Sequence, residues 1–125
     1  GVIRLFRSYR PEYRDGEQKR DFLFVEDAVA MTLFFHEHPD VSGLFNCGTG
    51  EARTWLDLAR AVFAAMGREP KIEFVEMPPA IRPAYQYFTQ ADMSKARRVG
   101  YTRPFRSLEE GVRCYIRDYL MASTT

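Results

Sequence analysis

The fold class follows from the stretch RDFLFVED at residues 20–27, in which a short apolar run passes directly into a helical pattern. Residues 21–25 predict a short strand. Residues 26–38 predict an amphipathic helix that ends at Pro39, because proline cannot extend a helix. The apolar positions of this helical pattern recur every four residues: Val25, Val29 and Leu33. We therefore expect a strand followed by a helix with one apolar face.

Strand and helix patterns alternate on both sides of this stretch. Further strands are predicted at residues 2–6, 44–47, 71–76 and 87–89, with a long polar loop at residues 7–19. Further helices are predicted from the Thr54 cap to Gly67, over residues 92–99, and from the capping box at residues 107–110. The alternation predicts an α/β or mixed α+β fold with mixed strand pairing.

Composition excludes several classes of protein. The 125 residues are 46% hydrophobic and 28% charged, which is typical of a globular protein rather than a disordered one. The formal charge is +1, so no overall field attracts nucleic acid or an anionic membrane. No apolar run approaches the roughly 18 residues of a membrane-spanning helix. Cys47 and Cys114 belong to no CxxC or zinc-type spacing, so we expect a reduced, cytoplasmic protein without a membrane partner.

The Gly48-Thr49-Gly50 segment is a candidate for dinucleotide binding, because it follows a predicted strand and precedes a predicted helix. The third glycine of a G-x-G-x-x-G motif would fall on Arg53, whose side chain would block close packing of helix against strand. A tight turn between a strand and a helix requires glycine in any case. We therefore interpret the segment as a turn that leads to the Thr54 cap, with no cofactor-binding residue.

No residue pattern predicts a metal site or a catalytic nucleophile. His36 and His38 are two residues apart, which places them about 200° apart on a helix, so they cannot share an ion. Neither cysteine has a histidine or a carboxylate at motif spacing. We interpret the histidines as surface residues and the cysteines as unreactive.

The first twenty residues are rich in arginine and tyrosine. Six basic side chains stand against three acidic ones, and Tyr9 and Tyr13 lie among them. Guanidinium groups pair with phosphate oxygens and aromatic rings stack on bases or sugars, so this stretch favours an anionic ligand that carries a ring. Two other interpretations stay open: an ordinary solvated loop, and a module that binds RNA or single-stranded DNA.

Four segments in the same order carry a resemblance to a known family: residues 20–27 (RDFLFVED), 44–50 (LFNCGTG), 88–92 (FTQAD) and 100–111 (GYTRPFRSLEEG). They resemble the extended short-chain dehydrogenase/reductase enzymes of the NAD-dependent epimerase/dehydratase family, which act on nucleotide sugars. The resemblance implies an α/β (mixed α+β) fold. It identifies the chain with the substrate-binding portion of an extended Rossmann-type enzyme, without the amino-terminal dinucleotide-binding part.

A narrower match joins residues 85–92 (YQYFTQAD) with residues 5–8 (LFRS). These segments resemble the members of the family that act on ADP-linked heptoses. The resemblance implies part of an NADP-dependent epimerase that inverts C6 of ADP-glycero-manno-heptose for lipopolysaccharide inner-core synthesis. The corresponding part of another nucleotide-sugar epimerase or dehydratase is the alternative.

Matched position by position, the resemblance implies six substrate-binding residues: Phe6, Arg7, Ser8, Tyr9, Arg20 and Tyr85. Arg20 has the strongest chemical argument, because a diphosphate needs a fixed and always charged fork. A salt bridge from Arg20 to Asp21 or Asp27 is the structural alternative. For Tyr85 the alternative is a tyrosine of the core or its rim.

The catalytic pair that the resemblance implies is absent from this sequence. Enzymes of this family use a Tyr-x-x-x-Lys pair for proton transfer, and no tyrosine here is followed four residues later by lysine. No catalytic, cofactor-binding or metal residue is assigned, and NADP is expected on an amino-terminal part. Gly1 stands directly before a predicted strand, as it would if the front of the protein were missing.

We accordingly predict that residues 1–125 form a carboxy-terminal substrate-binding domain that is inactive alone. Residues 21–50 would supply the last strand and helix of a Rossmann sheet whose other strands are missing. The strand at residues 44–47 would then be an exposed sheet edge beside an apolar face. The expected partners are an ADP-sugar substrate, the missing amino-terminal half and further copies in a homo-oligomer, with no nucleic acid.

Overall fold

Short strands and helices alternate in residues 1–122, the part of the chain that this computed structural model describes. The strands are β1 (Ile3–Phe6), β2 (Lys19–Arg20), β3 (Arg53–Thr54) and β4 (Ile72–Val75). The helices are α1 (Val25–Glu37), α2 (Trp55–Ala65), α3 (Ser94–Arg98) and α4 (Leu108–Cys114), which a π-helical segment, Tyr115–Leu120, continues. A 3-10 turn covers Arg82–Ala84. The expected mixed α/β class is confirmed.

Two strand pairs place distant parts of the chain side by side. Strands β1 and β4 are parallel, and Leu5 lies opposite Phe74. Because both strands run in the same direction, the residues that follow them meet at one edge of the pair. Strands β2 and β3 are antiparallel, with Arg20 opposite Arg53. The two ends of the residue 7–19 loop are thereby anchored to strands from the middle of the chain.

Helix α2 begins and ends where the sequence predicts. The Thr54 hydroxyl accepts a hydrogen bond from the N–H of Asp57 at 3.0 Å, and the Asp57 carboxylate accepts one from the N–H of Thr54 at 3.2 Å. Two of the free N–H groups at the helix start are satisfied in this way. Gly67 follows the helix with φ +65°, a conformation that glycine adopts without steric cost.

Arg53 joins the start of α2 to α4. Its guanidinium donates two hydrogen bonds to the carboxylate of Glu109, at 2.5 and 3.1 Å, and Nε donates to Asp57 at 3.2 Å. The Arg53 hydrogen bonds hold the pKa of the Glu109 carboxyl below its usual range. Burial raises the pKa of Asp57, but the hydrogen bonds from Thr54 and Arg53 outweigh it, so this pKa is also lowered.

The buried interior contains a cluster between α1 and α3. Its buried members are Met31, Met93, Ala96 and Tyr101, and five partly buried side chains pack against them: Phe34, Phe35, Phe45, Ala91 and Phe105. The strand pair adds Leu5 to the interior, and Met77 just after β4 is fully buried. Within residues 1–122, no helix is long and apolar enough to cross a membrane.

Three predicted strands do not form within the described residues. Residues 21–24 and 44–47 belong to no strand, and α1 already begins at Val25. Residues 87–89 are not a strand either, although they make two backbone hydrogen bonds with Lys19, at 2.8 and 3.3 Å. An apolar run predicts burial, but a strand also needs a neighbour for its N–H and C=O groups. Within residues 1–122, no strand lies beside residues 44–47 to pair with them.

The exposed sheet edge expected at residues 44–47 does not form within the described residues, whereas the apolar face of α1 is exposed. Its members are each half exposed or more: Val25 at 58%, Val29 at 51% and Leu33 at 50%. Leu44, which follows α1 in the chain, is 88% exposed. The helix buries Met31 and Asp27 instead. Large apolar side chains exposed together on one helix face are common at interfaces.

Candidate functional site

Arg20 lies on β2 with its guanidinium free of carboxylates among the described residues. Its one side-chain hydrogen bond within residues 1–122 runs from Nη1 to the carbonyl oxygen of Lys19 at 3.0 Å. The guanidinium carbon is 5.1 Å from the centre of the Tyr85 ring, within the range of a cation–π contact. Arg20 and Tyr85 therefore share one face of the molecule, and the charge of Arg20 is available to a ligand.

Asp21, one of the two alternative partners for Arg20, is held by backbone N–H groups instead. Its Oδ1 accepts hydrogen bonds from the N–H and the hydroxyl of Thr49, at 2.9 and 2.5 Å. Its Oδ2 accepts hydrogen bonds from the N–H groups of Gly50 and Ala91, at 2.9 and 3.1 Å. Four donors on one carboxylate satisfy it fully, so Asp21 needs no guanidinium.

These contacts leave the turn at residues 48–50 no room for a dinucleotide. The N–H groups that would bind a phosphate already bind the Asp21 carboxylate. A Cβ atom at Gly48 would lie 2.6 Å from the Cβ of Ala91 and 2.7 Å from Oδ2 of Asp21, so the backbone is in close contact here. The turn does bind an anion, but that anion belongs to the chain, and no reaction step is assigned to a cofactor at this position.

Asp27, the second alternative partner of Arg20, is also occupied. This carboxylate is buried, and it accepts hydrogen bonds from the N–H of Arg106 at 2.8 Å and from Nη1 of Arg106 at 2.9 Å. The Nη2 of Arg106 donates to Glu26 at 3.1 Å. The salt-bridge alternative for Arg20 is therefore wrong in this structure.

Arg20 and Tyr85 line one side of an open pocket of about 380 Å³. Its other lining residues belong to the 3-10 turn or lie next to it: Ala80, Ile81, Ala84 and Gln86. Tyr85 also borders a second pocket of about 200 Å³, whose lining includes Phe6. The rings of Phe6 and Tyr85 meet edge to face at 6.2 Å. One guanidinium beside two aromatic rings suits an anion that is joined to a ring.

Tyr9 reaches this region through Tyr87. The hydroxyl of Tyr87 accepts a hydrogen bond from the N–H of Tyr9 at 2.9 Å, and the Tyr87 ring meets the Tyr85 ring edge to face at 5.4 Å. The hydroxyl of Tyr9 donates to the carboxylate of Glu76. The buried Tyr87 thus connects Tyr85 at the pocket with the backbone of Tyr9 beyond the carboxyl end of β1.

Arg7 and Ser8, which also follow β1, make contacts within the chain. Arg7 pairs with Asp15 at 3.4 Å and with Glu76 at 3.7 Å, and all three side chains are exposed by a third or more. The Ser8 hydroxyl donates to the carbonyl oxygen of Arg10 at 2.9 Å. Of the six residues assigned from the sequence, Phe6, Arg20 and Tyr85 are adjacent, while Arg7, Ser8 and Tyr9 form the neighbouring edge.

Arg82 lies beside Tyr9 and was not assigned from the sequence. Its guanidinium carbon lies 4.0 Å from the centre of the Tyr9 ring, and its Nη2 is 3.5 Å from the Glu76 carboxylate. The Nε atom donates to the carbonyl oxygen of Met77 at 2.7 Å, which fixes the side chain. The signal in the sequence was an arginine three positions before Tyr85, but only the fold places it beside residue 9.

At this site the described residues present guanidinium groups and aromatic rings, which suit the binding of an anion. Cys47 is exposed, but partial desolvation of its thiol and the charges of Asp21 and Asp27 raise its pKa, so the reactive thiolate is disfavoured. Within residues 1–122, no three side chains of histidine, cysteine, aspartate or glutamate are grouped to hold a metal ion.

Comparisons with known proteins agree on one family. The model of the NAD dependent epimerase/dehydratase family matches residues 3–48. The chain is 52% identical over 123 residues to ADP-L-glycero-D-manno-heptose-6-epimerase of Nitratidesulfovibrio vulgaris (strain DP4), which covers 98% of this chain and 38% of that protein. The chain thus spans less than half the length of the curated relatives that it matches.

Solved structures support the same fold. The chain is similar to UDP-glucose 4-epimerase of Thermus thermophilus in complex with NAD, with 26% identity and a TM-score of 0.75 over 97% of this chain and 36% of that chain. It is similar in fold to ADP-L-glycero-D-manno-heptose-6-epimerase of Helicobacter pylori, with 24% identity and a TM-score of 0.68 over 97% of this chain and 32% of that chain. The expected relation to the Rossmann-type epimerase fold is confirmed.

Proposed function

We propose that this chain, a member of the NAD dependent epimerase/dehydratase family, is the substrate-binding part of an epimerase that inverts C6 of ADP-glycero-manno-heptose. The identity of 52% with a heptose epimerase supports this choice of sugar. In the proposal, the product serves lipopolysaccharide inner-core synthesis. NADP and the Tyr-x-x-x-Lys pair lie outside this sequence, so residues 1–125 form a carboxy-terminal domain that binds the substrate without converting it.

One observation carries the proposal: a guanidinium with no carboxylate partner among the described residues lies beside Tyr85 in an open pocket. We assign the diphosphate of the nucleotide sugar to Arg20, because the planar guanidinium can donate two parallel hydrogen bonds to phosphate oxygens. The rings of Tyr85 and Phe6 flank that position and would contact the sugar or the base. A diphosphate held at Arg20 limits the positions that the attached sugar can take. It therefore helps to place C6 for the reaction.

Titration calorimetry tests the assignment. We expect the chain to bind ADP-glycero-manno-heptose more tightly than UDP-glucose or dTDP-glucose. The Arg20→Lys variant should lose about tenfold or more in affinity, because a point charge replaces a fork at a bidentate contact. Arg60→Lys is the matched control, since Arg60 is exposed on α2 and does not line the pocket. Equal affinities of the two variants would contradict the role of Arg20.

A second substrate is supported by the likeness to the Thermus thermophilus enzyme at 26% identity, which acts on a UDP-sugar by its name. A clear preference for UDP-glucose in the same titration would favour this substrate over the heptose. Failure to bind any nucleotide sugar would refute both. Conversion of ADP-glycero-manno-heptose by the chain with added NADP would contradict the proposal that the chain is inactive alone.

We further propose that the exposed apolar face of α1 contacts the rest of the enzyme, and that the assembled protein is a cytoplasmic homo-oligomer. The half-exposed side chains of Val25, Val29 and Leu33 support a covered surface. The chain matches only 38% of the length of its relative, so the rest of such an enzyme is large enough to contact this helix face. The two free cysteines, Cys47 and Cys114, fit a reducing compartment.

A further inference from the structure

Glu76 lies at the edge where the two parallel strands end together. It directly follows β4, as Arg7 directly follows β1, and the N–H of Arg7 donates to the carbonyl oxygen of Val75 at 2.9 Å. The carboxyl ends of neighbouring parallel strands are a usual place for ligands in α/β folds. Here this place is occupied by a carboxylate of the chain.

The Glu76 carboxylate is surrounded by cationic and hydroxyl donors. Its Oε1 is 3.7 Å from Nε of Arg7, and its Oε2 is 3.5 Å from Nη2 of Arg82. The Tyr9 hydroxyl donates to the same Oε2. Two guanidinium groups and a phenol around one anion are the set of donors that phosphate oxygens also prefer.

This arrangement is easily reversed. The Glu76 side chain is 70% exposed, and its ion pairs with Arg7 and Arg82 are long, at 3.7 and 3.5 Å. Exposed ion pairs contribute little to stability, so a better anion can replace the carboxylate without unfolding the edge. A diphosphate carries more charge and more acceptor oxygens than a carboxylate, and it can use both guanidinium groups at once.

We infer that Glu76 is an internal competitor for the phosphate groups of the ligand. Without ligand, its carboxylate holds Arg7 and Arg82 close to the Tyr9 hydroxyl. When ligand binds, a phosphate takes these guanidinium groups and the Glu76 side chain turns into solvent. The inference rests on the proposed function, since it assumes that a diphosphate reaches Arg20 on the adjoining face. It assigns to Glu76 the role of lowering and tuning affinity.

The substitution Glu76→Gln tests the inference, because it removes the charge and keeps the shape. We expect this variant to bind ADP and inorganic pyrophosphate about 2–5-fold more tightly than the unmodified chain, as the loss of a weak exposed ion pair predicts. Glu73→Gln is the matched control. Glu73 lies on β4, three residues before Glu76, in an exposed ion pair with Arg4 at 3.2 Å. Its substitution removes the same charge at a position away from Arg7 and Arg82.

Calorimetric titrations of the three proteins separate the possible outcomes. Tighter binding by the Glu76 variant alone supports direct competition. An equal gain in affinity in both variants would show that overall charge causes the effect, and it would overturn the inference. Unchanged or weaker binding by the Glu76 variant would overturn it as well. If Arg20→Lys weakens binding while Glu76→Gln does not tighten it, the proposed function stands and this inference fails. If the unmodified chain binds neither ADP nor pyrophosphate, both fail.

Discussion

Replacing Asp21 with asparagine removes one acceptor oxygen from a carboxylate that accepts four hydrogen bonds. Two of the four donors belong to Thr49 and contact one oxygen, and the other two belong to Gly50 and Ala91 and contact the second oxygen. In either orientation of the asparagine side chain, the amide oxygen accepts from one pair of donors and the NH₂ group faces the other pair. Hydrogen bonds to a charged group are worth about 1.5–3 kcal/mol each. Because Asp21 is only partly buried, we expect the lower end for each lost bond, or about 3 kcal/mol in total.

Equilibrium unfolding in urea, followed by far-ultraviolet circular dichroism, measures this loss. With a slope of about 2 kcal/mol per M, the midpoint of the Asp21→Asn chain should fall by about 1.5 M. Asp40→Asn is the control, because Asp40 is exposed and no side-chain hydrogen bond involves it within residues 1–122. We expect that midpoint to stay within about 0.3 M of the unmodified chain.

Amide hydrogen exchange locates the effect. The N–H groups of Gly50 and Ala91 should exchange faster in Asp21→Asn than in the unmodified chain, since each loses an acceptor or keeps a weaker one. Equal urea midpoints for the two asparagine variants, with unchanged protection at these two amides, would refute the argument that Asp21 holds the turn.

Gly48→Ala should lower the free energy of unfolding by about 1–3 kcal/mol, because its Cβ would lie 2.6 Å from the Cβ of Ala91; an unchanged melting temperature would contradict that close contact. Acidification should destabilise the chain between about pH 5 and pH 3, since Asp57 and Glu109 have lowered pKa values in the folded state. A lowered folded pKa adds stability above the unfolded pKa, and this stability is lost as the pH falls through the folded pKa. Urea midpoints measured across this range should fall less steeply for Arg53→Gln, and an equal slope would show that these carboxyls are not the cause.

Local signals in the sequence predicted the elements whose stability is local. The start of α2 is marked by Thr54 and Asp57, whose side chains accept hydrogen bonds from backbone N–H groups of the first turn. Its end is marked by Gly67, which takes the positive φ angle at which the chain leaves the helix. Strands β1 and β4 were also predicted within a residue or two of their ends. The strands at residues 21–25 and 44–47 were wrong, because an apolar run does not show whether a neighbouring strand exists.

The candidate site shows the same division. A resemblance assigned Arg20 and Tyr85 by their order in the chain, and it left a salt bridge to Asp21 or Asp27 as an alternative. The choice depended on distant partners: backbone N–H groups of the residue 48–50 turn take Asp21, and Arg106 takes Asp27. No pattern near residue 20 contains that information.

The amino-acid sequence was sufficient for the mixed α/β class, the caps of α2 and the arginine and tyrosine content of the residue 1–20 segment, since these depend on residue type and short-range spacing. The tertiary structure alone established that the guanidinium of Arg20 pairs with no carboxylate of residues 1–122, that Arg82 lies beside Tyr9 and that Glu76 pairs with Arg82. Each of these results depends on which guanidinium lies nearest to which carboxylate. The groups concerned are far apart in the sequence, so only their distances in the folded chain decide the pairing.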